Sequence, residues 1–139
     1  MKKYLKLSLL YAILAMIGGI FYREFTKIYD FMQPTTLSVV HVHLFVLGMI
    51  FILLLGLYQD KLSLSQNKLY QYSFISYNLF LILMVIMMLI KGILQVTGST
   101  YSIVLTAISG LSHTGLGISL FLILFSLFKV ASDKKDSEN

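Results

Sequence analysis

The sequence contains no cysteine and a single proline, and only 12% of its 139 residues are charged. Without cysteine there is no disulfide, no thiolate metal site and no cysteine nucleophile. One proline beside nine glycines excludes a collagenous or low-complexity chain. The shortage of charge, set against 58% hydrophobic residues, excludes more. A soluble domain of this length cannot bury so large an apolar fraction, since globular chains are about 45–50% apolar and about 25% charged. Disordered chains are poor in aromatic and aliphatic residues, so disorder is excluded too. What remains is an all-α integral membrane protein.

A helix needs about 20 mostly apolar residues to cross a hydrocarbon core roughly 30 Å thick. Four stretches meet this, at about 4–21, 37–58, 69–90 and 103–128, and they lack the period-2 alternation of a membrane β-barrel. The sequence predicts one four-transmembrane-helix bundle over 1–131, then a solvated tail over 132–139 to which no function is assigned. The basic start (Lys2, Lys3, Lys6) resembles the head of a signal peptide. Its apolar run is long for one and no small-residue cleavage site follows, so it reads as a retained helix. Gln33, Pro34, Thr35 and Thr36 break the first gap, with Thr35, Thr36 or Ser38 as caps for the second helix, and Gly98-Ser99-Thr100 breaks the third.

With the N-terminus inside, Lys2, Lys3, Lys6, Lys61, Lys68, Lys129, Lys134 and Lys135 fall on the inner side, and Arg23, Lys27 and Lys91 on the outer. This obeys the positive-inside rule and predicts an N-in/C-in bundle. The net charge of +5 is thereby mostly topology. No basic helix with interleaved base readers points to nucleic acid.

All three histidines fall inside predicted spans, where ionisable residues are costly and raise a functional hypothesis. At 1.5 Å per residue, His41 and His43 lie about 6 Å and about 9 Å past the start of the second helix. His113 lies about 10–15 Å into the fourth. The three imidazoles thus occupy one layer near the outer face. Neutral imidazole is a haem ligand, and helix bundles hold cofactors between facing helices. Thr106, Ser109, Gly110, His113 and Gly117 share one small, polar face, expected to point inward and leave room for a macrocycle. Gly18, Gly19, Gly48 and Gly56 let the other helices close up around it. His41 and His43 are about 200° apart around their helix, so only one of them faces the same iron as His113. A shared stripe with Gly48 favours His41. The bland reading is three buried histidines hydrogen-bonded within the bundle.

His41-Val42-His43 followed by Leu47-Gly48-Met49 resembles the His-x-His helix of the haem-copper oxidase and nitric-oxide reductase catalytic subunit. Ser112-His113-Thr114-Gly115 resembles, more weakly, that subunit's other low-spin axial-ligand helix. The whole chain, with Gly19 to Lys27 after the first helix, is similar to a family of small four-helix bacterial membrane proteins of unknown function. The resemblance implies His43 and His113 as axial ligands of a low-spin haem b, with His41 in the place of the high-spin ligand. It also implies a bacterial cytoplasmic membrane. The oxidase copper cluster needs three further histidines, which are absent. A haem carrier or electron-transfer protein is therefore expected rather than a complete oxidase.

Arg23 is the expected clamp for a haem propionate, because its guanidinium fork matches a carboxylate, with Lys27 or Lys91 as a second cation. The competing reading is interfacial snorkelling. Glu24 is expected to pair with Arg23 or Lys27, and Tyr22, Tyr29 and Tyr101 to form interfacial belts. Ser73, Ser76, Tyr77 and Asn78 make a polar patch in the third helix, read as helix–helix glue or as a quinone or proton route. Met49 and Met16 are alternative axial ligands. The expected role is electron transfer with a quinol or redox partner; haem sensing, storage or transfer and a cofactor-free scaffold are the alternatives. Polar residues on two faces of the second helix point to a homodimer.

Overall fold

The computed structural model describes residues 1–59, 62 and 64–138. Of the predicted inner cations, Lys61 and the side chains of Lys134 and Lys135 lie outside what is described. Four helices account for most of the chain: α1 (Lys2–Ile28), α2 (Leu37–Gln59), α3 (Lys68–Val96) and α4 (Ile103–Glu138). Each holds a window long and apolar enough to cross a membrane. A single 3-10 turn, Leu64–Gln66, precedes α3, whose start is capped by Asn67 accepting from the Tyr70 N–H at 3.1 Å.

The number and order of helices follow the hydrophobic runs, but three ends do not. α1 runs on past residue 21, α3 past residue 90, and α4 through the stretch expected to be a frayed tail. Hydropathy stops at the first charges, whereas Lys, Arg and Glu are good helix formers and the backbone continues. α1 and α3 end in Schellman motifs, which satisfy carbonyls left open in the last turn. The Phe31 and Ser99 N–H groups each reach back 2.9 Å, to the Thr26 and Leu94 carbonyls. The residue before each is left-handed, Asp30 at φ 48° and Gly98 at φ 69°.

α1 packs on α2, α2 on α3 and α3 on α4. Hydrophobic burial does not distinguish a neighbouring helix from lipid, so such a bundle is held by close approach and interhelical hydrogen bonds. At Gly48 a Cβ would lie 2.6 Å from Tyr11 Cγ, and at Gly92 2.7 Å from the Leu37 backbone nitrogen. Gly115 meets the Phe80 ring in the same way. The polar patch of α3 acts as the expected glue. Asn78 Oδ1 accepts from the Tyr11 hydroxyl at 2.9 Å, Ser76 and Ser119 bond at 2.9 Å, and Tyr77 donates to the Leu47 carbonyl at 2.9 Å.

The start of α2 is fixed from α3. Gln95 Oε1 accepts the Thr36 N–H at 2.9 Å, Thr36 Oγ1 donates to the Met88 carbonyl at 2.9 Å, and Thr35 Oγ1 to the Gly92 carbonyl at 3.2 Å. Of the expected local caps, Thr35 Oγ1 accepts from the Leu37 N–H at 3.3 Å, while Thr36 is capped by the distant Gln95. α2 also departs from α geometry: Leu44–Ile50 is π-helical, with the Phe51 N–H bonded to the Val46 carbonyl five residues back. Two carbonyls of this segment take side-chain donors, Leu47 from Tyr77 and Met49 from Ser8 Oγ at 3.0 Å.

A histidine pair between α2 and α4

The structure brings two of the three histidines together. The His43 and His113 rings lie with centroids 6.5 Å apart and planes crossing at 82°. They belong to helices that both pack on α3, α2 through Leu37 and Leu47, α4 through Gly115 and Ser119. Each ring is oriented by its own helix. His43 Nδ1 lies 2.8 Å from the Val39 carbonyl and His113 Nδ1 2.9 Å from the Ser109 carbonyl. A carbonyl only accepts, so both Nδ1 atoms carry the proton, and in neutral imidazole this leaves the Nε2 lone pair free. Metal-ligating histidines are oriented and made more basic by the same kind of bond.

The separation can be set against that of two imidazoles sharing one ion. A bond of about 2 Å from each ring nitrogen, plus about 1.1 Å from nitrogen to ring centre, puts two trans imidazole centres about 6.2 Å apart. Among the described residues no three His, Asp or Glu side chains gather into a cage. Two ligands on opposite sides suit a macrocycle that supplies the other donors itself.

The surroundings bear on the fit. Gly110 and Gly117 stand one turn either side of His113, and a Cβ on either meets no heavy atom within 4 Å. His43 is half-buried and His113 exposed, outward from the bundle. This corrects the expectation that the small face of α4 points inward. Thr106, Gly110, His113 and Gly117 are exposed, and α4 packs through Ser112, Gly115, Leu116, Ser119, Ile123 and Ser126. The fourth helix has two small stripes, and the serine-rich one is buried because its hydroxyls bond back to their own helix. Ser119 Oγ donates to the Gly115 carbonyl at 2.8 Å, and Ser126 Oγ to the Leu122 carbonyl at 2.7 Å. Gly110 and Gly117 flank an open seat rather than lining an enclosed one.

His41 turns the other way. It packs on α1, where a Cβ at Gly19 would lie 3.7 Å from the His41 Cβ and Cγ. Its Nδ1 is buried without a hydrogen-bond partner. The Gly48 stripe that favoured His41 as the partner of His113 is itself a contact with α1, because Tyr11 fills the space beside Gly48. Gly48 is therefore a helix-packing residue, away from the pair. Met16 is exposed on α1.

The expected cations are spread over the C-terminal ends of α1 and α3. Arg23 Nε pairs with Glu24 Oε1 at 3.6 Å, both side chains more than half exposed. It sits four residues beyond Gly19, on the helix that faces His41. Lys27 borders a small recess at the end of α1 with Thr26, Asp30 and Phe31. Lys91 Nζ stands 5.1 Å from the Tyr101 ring centre, where α3 gives way to α4. Neither Arg23 nor Lys27 is brought to the pair. Sequence reasoning missed Gln95, Gly92 and Gly115, whose importance lies in contacts between distant segments.

The fold and site together define a small all-helical protein with four helices able to cross a membrane and a laterally open histidine pair. Residues 1–130 match the DUF2871 family, described as a protein of unknown function, and the chain belongs to that family. Comparison with curated proteins and with solved structures gives no significant match. The likeness of the α2 motif to the haem-copper oxidase subunit has no support from these comparisons.

Proposed function

We propose that the protein is a multi-pass membrane cytochrome that binds haem b between α2 and α4 through His43 and His113. The observation that carries this reading is the pair itself: two imidazoles with Nδ1 tied to backbone carbonyls and ring centres 6.5 Å apart. The residues fit the group. Two neutral nitrogen donors suit haem iron, and the open, glycine-flanked face of α4 leaves room for a flat macrocycle. His43 and His113 would hold the iron, with the Val39 and Ser109 carbonyls fixing their rings, and a propionate would call on a cation such as Lys91. Bound haem would supply one-electron chemistry, while the protein sets ligation and dielectric.

The assigned role is electron transfer with a quinol or protein redox partner, in a bacterial cytoplasmic membrane with both termini inside. The exposure of His113 favours a second reading, haem carriage, because an open edge allows exchange along the bilayer. An absorption spectrum of purified protein, oxidised and reduced, tests the first reading. A sharp reduced α-band unmoved by carbon monoxide is expected, lost in His43→Ala and in His113→Ala but kept in His41→Ala. A protein that stays colourless after haem addition overturns it. Rapid loss of haem to apomyoglobin distinguishes carriage from electron transfer.

A further inference from the structure

The π-helical segment begins at the residue after His43, and its open carbonyls are held by two other helices. We propose that Leu44–Ile50 is an aiming device that turns His43 toward His113, with Tyr77 as its principal positioning residue and Ser8 as its second. The inference rests on the reading of the two histidines as a ligand pair, but its geometry is testable without haem.

One residue inserted into an α-helix shifts the phase of everything beyond it by about 100°. Above the insertion α2 is pinned to α3 by Thr35, Thr36 and Leu37 and rests on α1 through Val40 and His41. Within and below it α2 is pinned to α1 by Gly48 on Tyr11 and Gly56 on Tyr4. Between fixed halves, the extra residue decides which way His43 faces. In an uninterrupted α-helix with the same lower contacts, the imidazole would point about a quarter-turn away. π segments leave carbonyls without α-helical partners, and in a membrane such groups need other donors. The Tyr77 hydroxyl supplies one from α3 and the Ser8 hydroxyl another from α1. Tyr77 touches neither histidine in any recorded contact and acts through the backbone of α2.

The absence of native cysteine allows a clean test. The His43→Cys/His113→Cys double variant is bridged with a short bifunctional thiol reagent in lipid nanodiscs, and intact mass counts bridged chains. Bridging is expected in this background, slowed about threefold to tenfold by adding Tyr77→Phe and less by Ser8→Ala, as for loss of one interhelical hydrogen bond. Deleting Val46, which restores the α period, is expected to abolish it. In the histidine-bearing chain, Tyr77→Phe is expected to shift the reduced α-band or midpoint potential while haem stoichiometry holds. Bridging rates unchanged by Tyr77→Phe and by the Val46 deletion overturn the aiming device, whatever the haem spectrum shows. Normal bridging dependence in a protein that binds no haem leaves the aiming geometry standing and refutes the haem assignment alone.

Discussion

Gly110 and Gly117 separate the folded chain from the loaded one. Each is exposed on α4, about 4.5 Å and about 6 Å along the axis from His113, with no heavy atom within 4 Å of a Cβ. Gly110→Leu and Gly117→Leu therefore put a side chain into open space in the haem-free protein. Replacing a helical glycine with a good helix former gains up to about 1 kcal/mol, so apo stability is expected to hold or rise. In the proposed site a haem held by His113 would cover the face of α4 that carries both positions. The leucine then overpacks that seat at a cost of about 1–3 kcal/mol, which weakens haem binding by about 5- to 150-fold. The assay is a haem titration of apoprotein in nanodiscs followed at the Soret band, beside denaturant unfolding of the same samples. Opposite signs for stability and affinity are expected. If both variants bind haem as tightly as the parent, the seat on α4 is refuted, even where His113→Ala removes the spectrum.

Gly48→Ala is expected to weaken both fold and site. A Cβ 2.6 Å from Tyr11 Cγ forces α1 and α2 apart, so unfolding should cost about 1–3 kcal/mol less, and because Gly48 lies in Leu44–Ile50, haem affinity should fall with it. Gln95→Leu removes the acceptor of the Thr36 N–H, and a drop of about 1–2 kcal/mol in unfolding free energy is expected, since a cap and a buried donor are lost together. His41→Leu removes a buried nitrogen that has no partner, so stability should be unchanged or raised by about 1 kcal/mol. A marked loss would reveal a partner for His41 in the membrane. Orientation is read by introducing Ser99→Cys and Asn67→Cys separately: an impermeant thiol reagent should label the first in intact cells and the second only after lysis.

Four hydrophobic runs, basic ends and three histidines in apolar stretches carry the helix count and draw attention to the right residues. That part is legible because a helix in lipid must announce itself by length and composition. What a helix faces is harder to read, and α4 shows why. Thr106–Gly110–His113–Gly117 and Ser112–Gly115–Ser119–Ser126 are both small stripes at helical spacing, and the Phe80 ring against Gly115 and the Ser76–Ser119 hydrogen bond decide that the second is packed. Likewise His41 and His43 are separated by contacts the sequence does not display, a glycine on α1 for one and an imidazole on α4 for the other. The π segment leaves no mark in Leu44–Ile50 that an ordinary α-helix would lack, since its support comes from Ser8 and Tyr77, 41 and 30 residues away from the carbonyls they meet.

These facts give α2 a division of labour that explains its composition. One face carries Val40, Leu44, Gly48 and Gly56 against α1 or the core, and its start is tied to α3 through Thr35 and Thr36. A helix pinned on two sides in this way has no freedom left to turn a functional side chain toward a third neighbour. An irregularity in the backbone is the remaining means, and it sits immediately after the histidine that meets α4. The two histidines of α2 then divide by consequence. In the proposed arrangement the π segment directs His43, whose Nδ1 proton goes to the Val39 carbonyl, whereas His41 rests against Gly19 with an unpaired Nδ1. The proposed site uses this difference: the Nδ1 of His43 is tied to a carbonyl, and that of His41 is not.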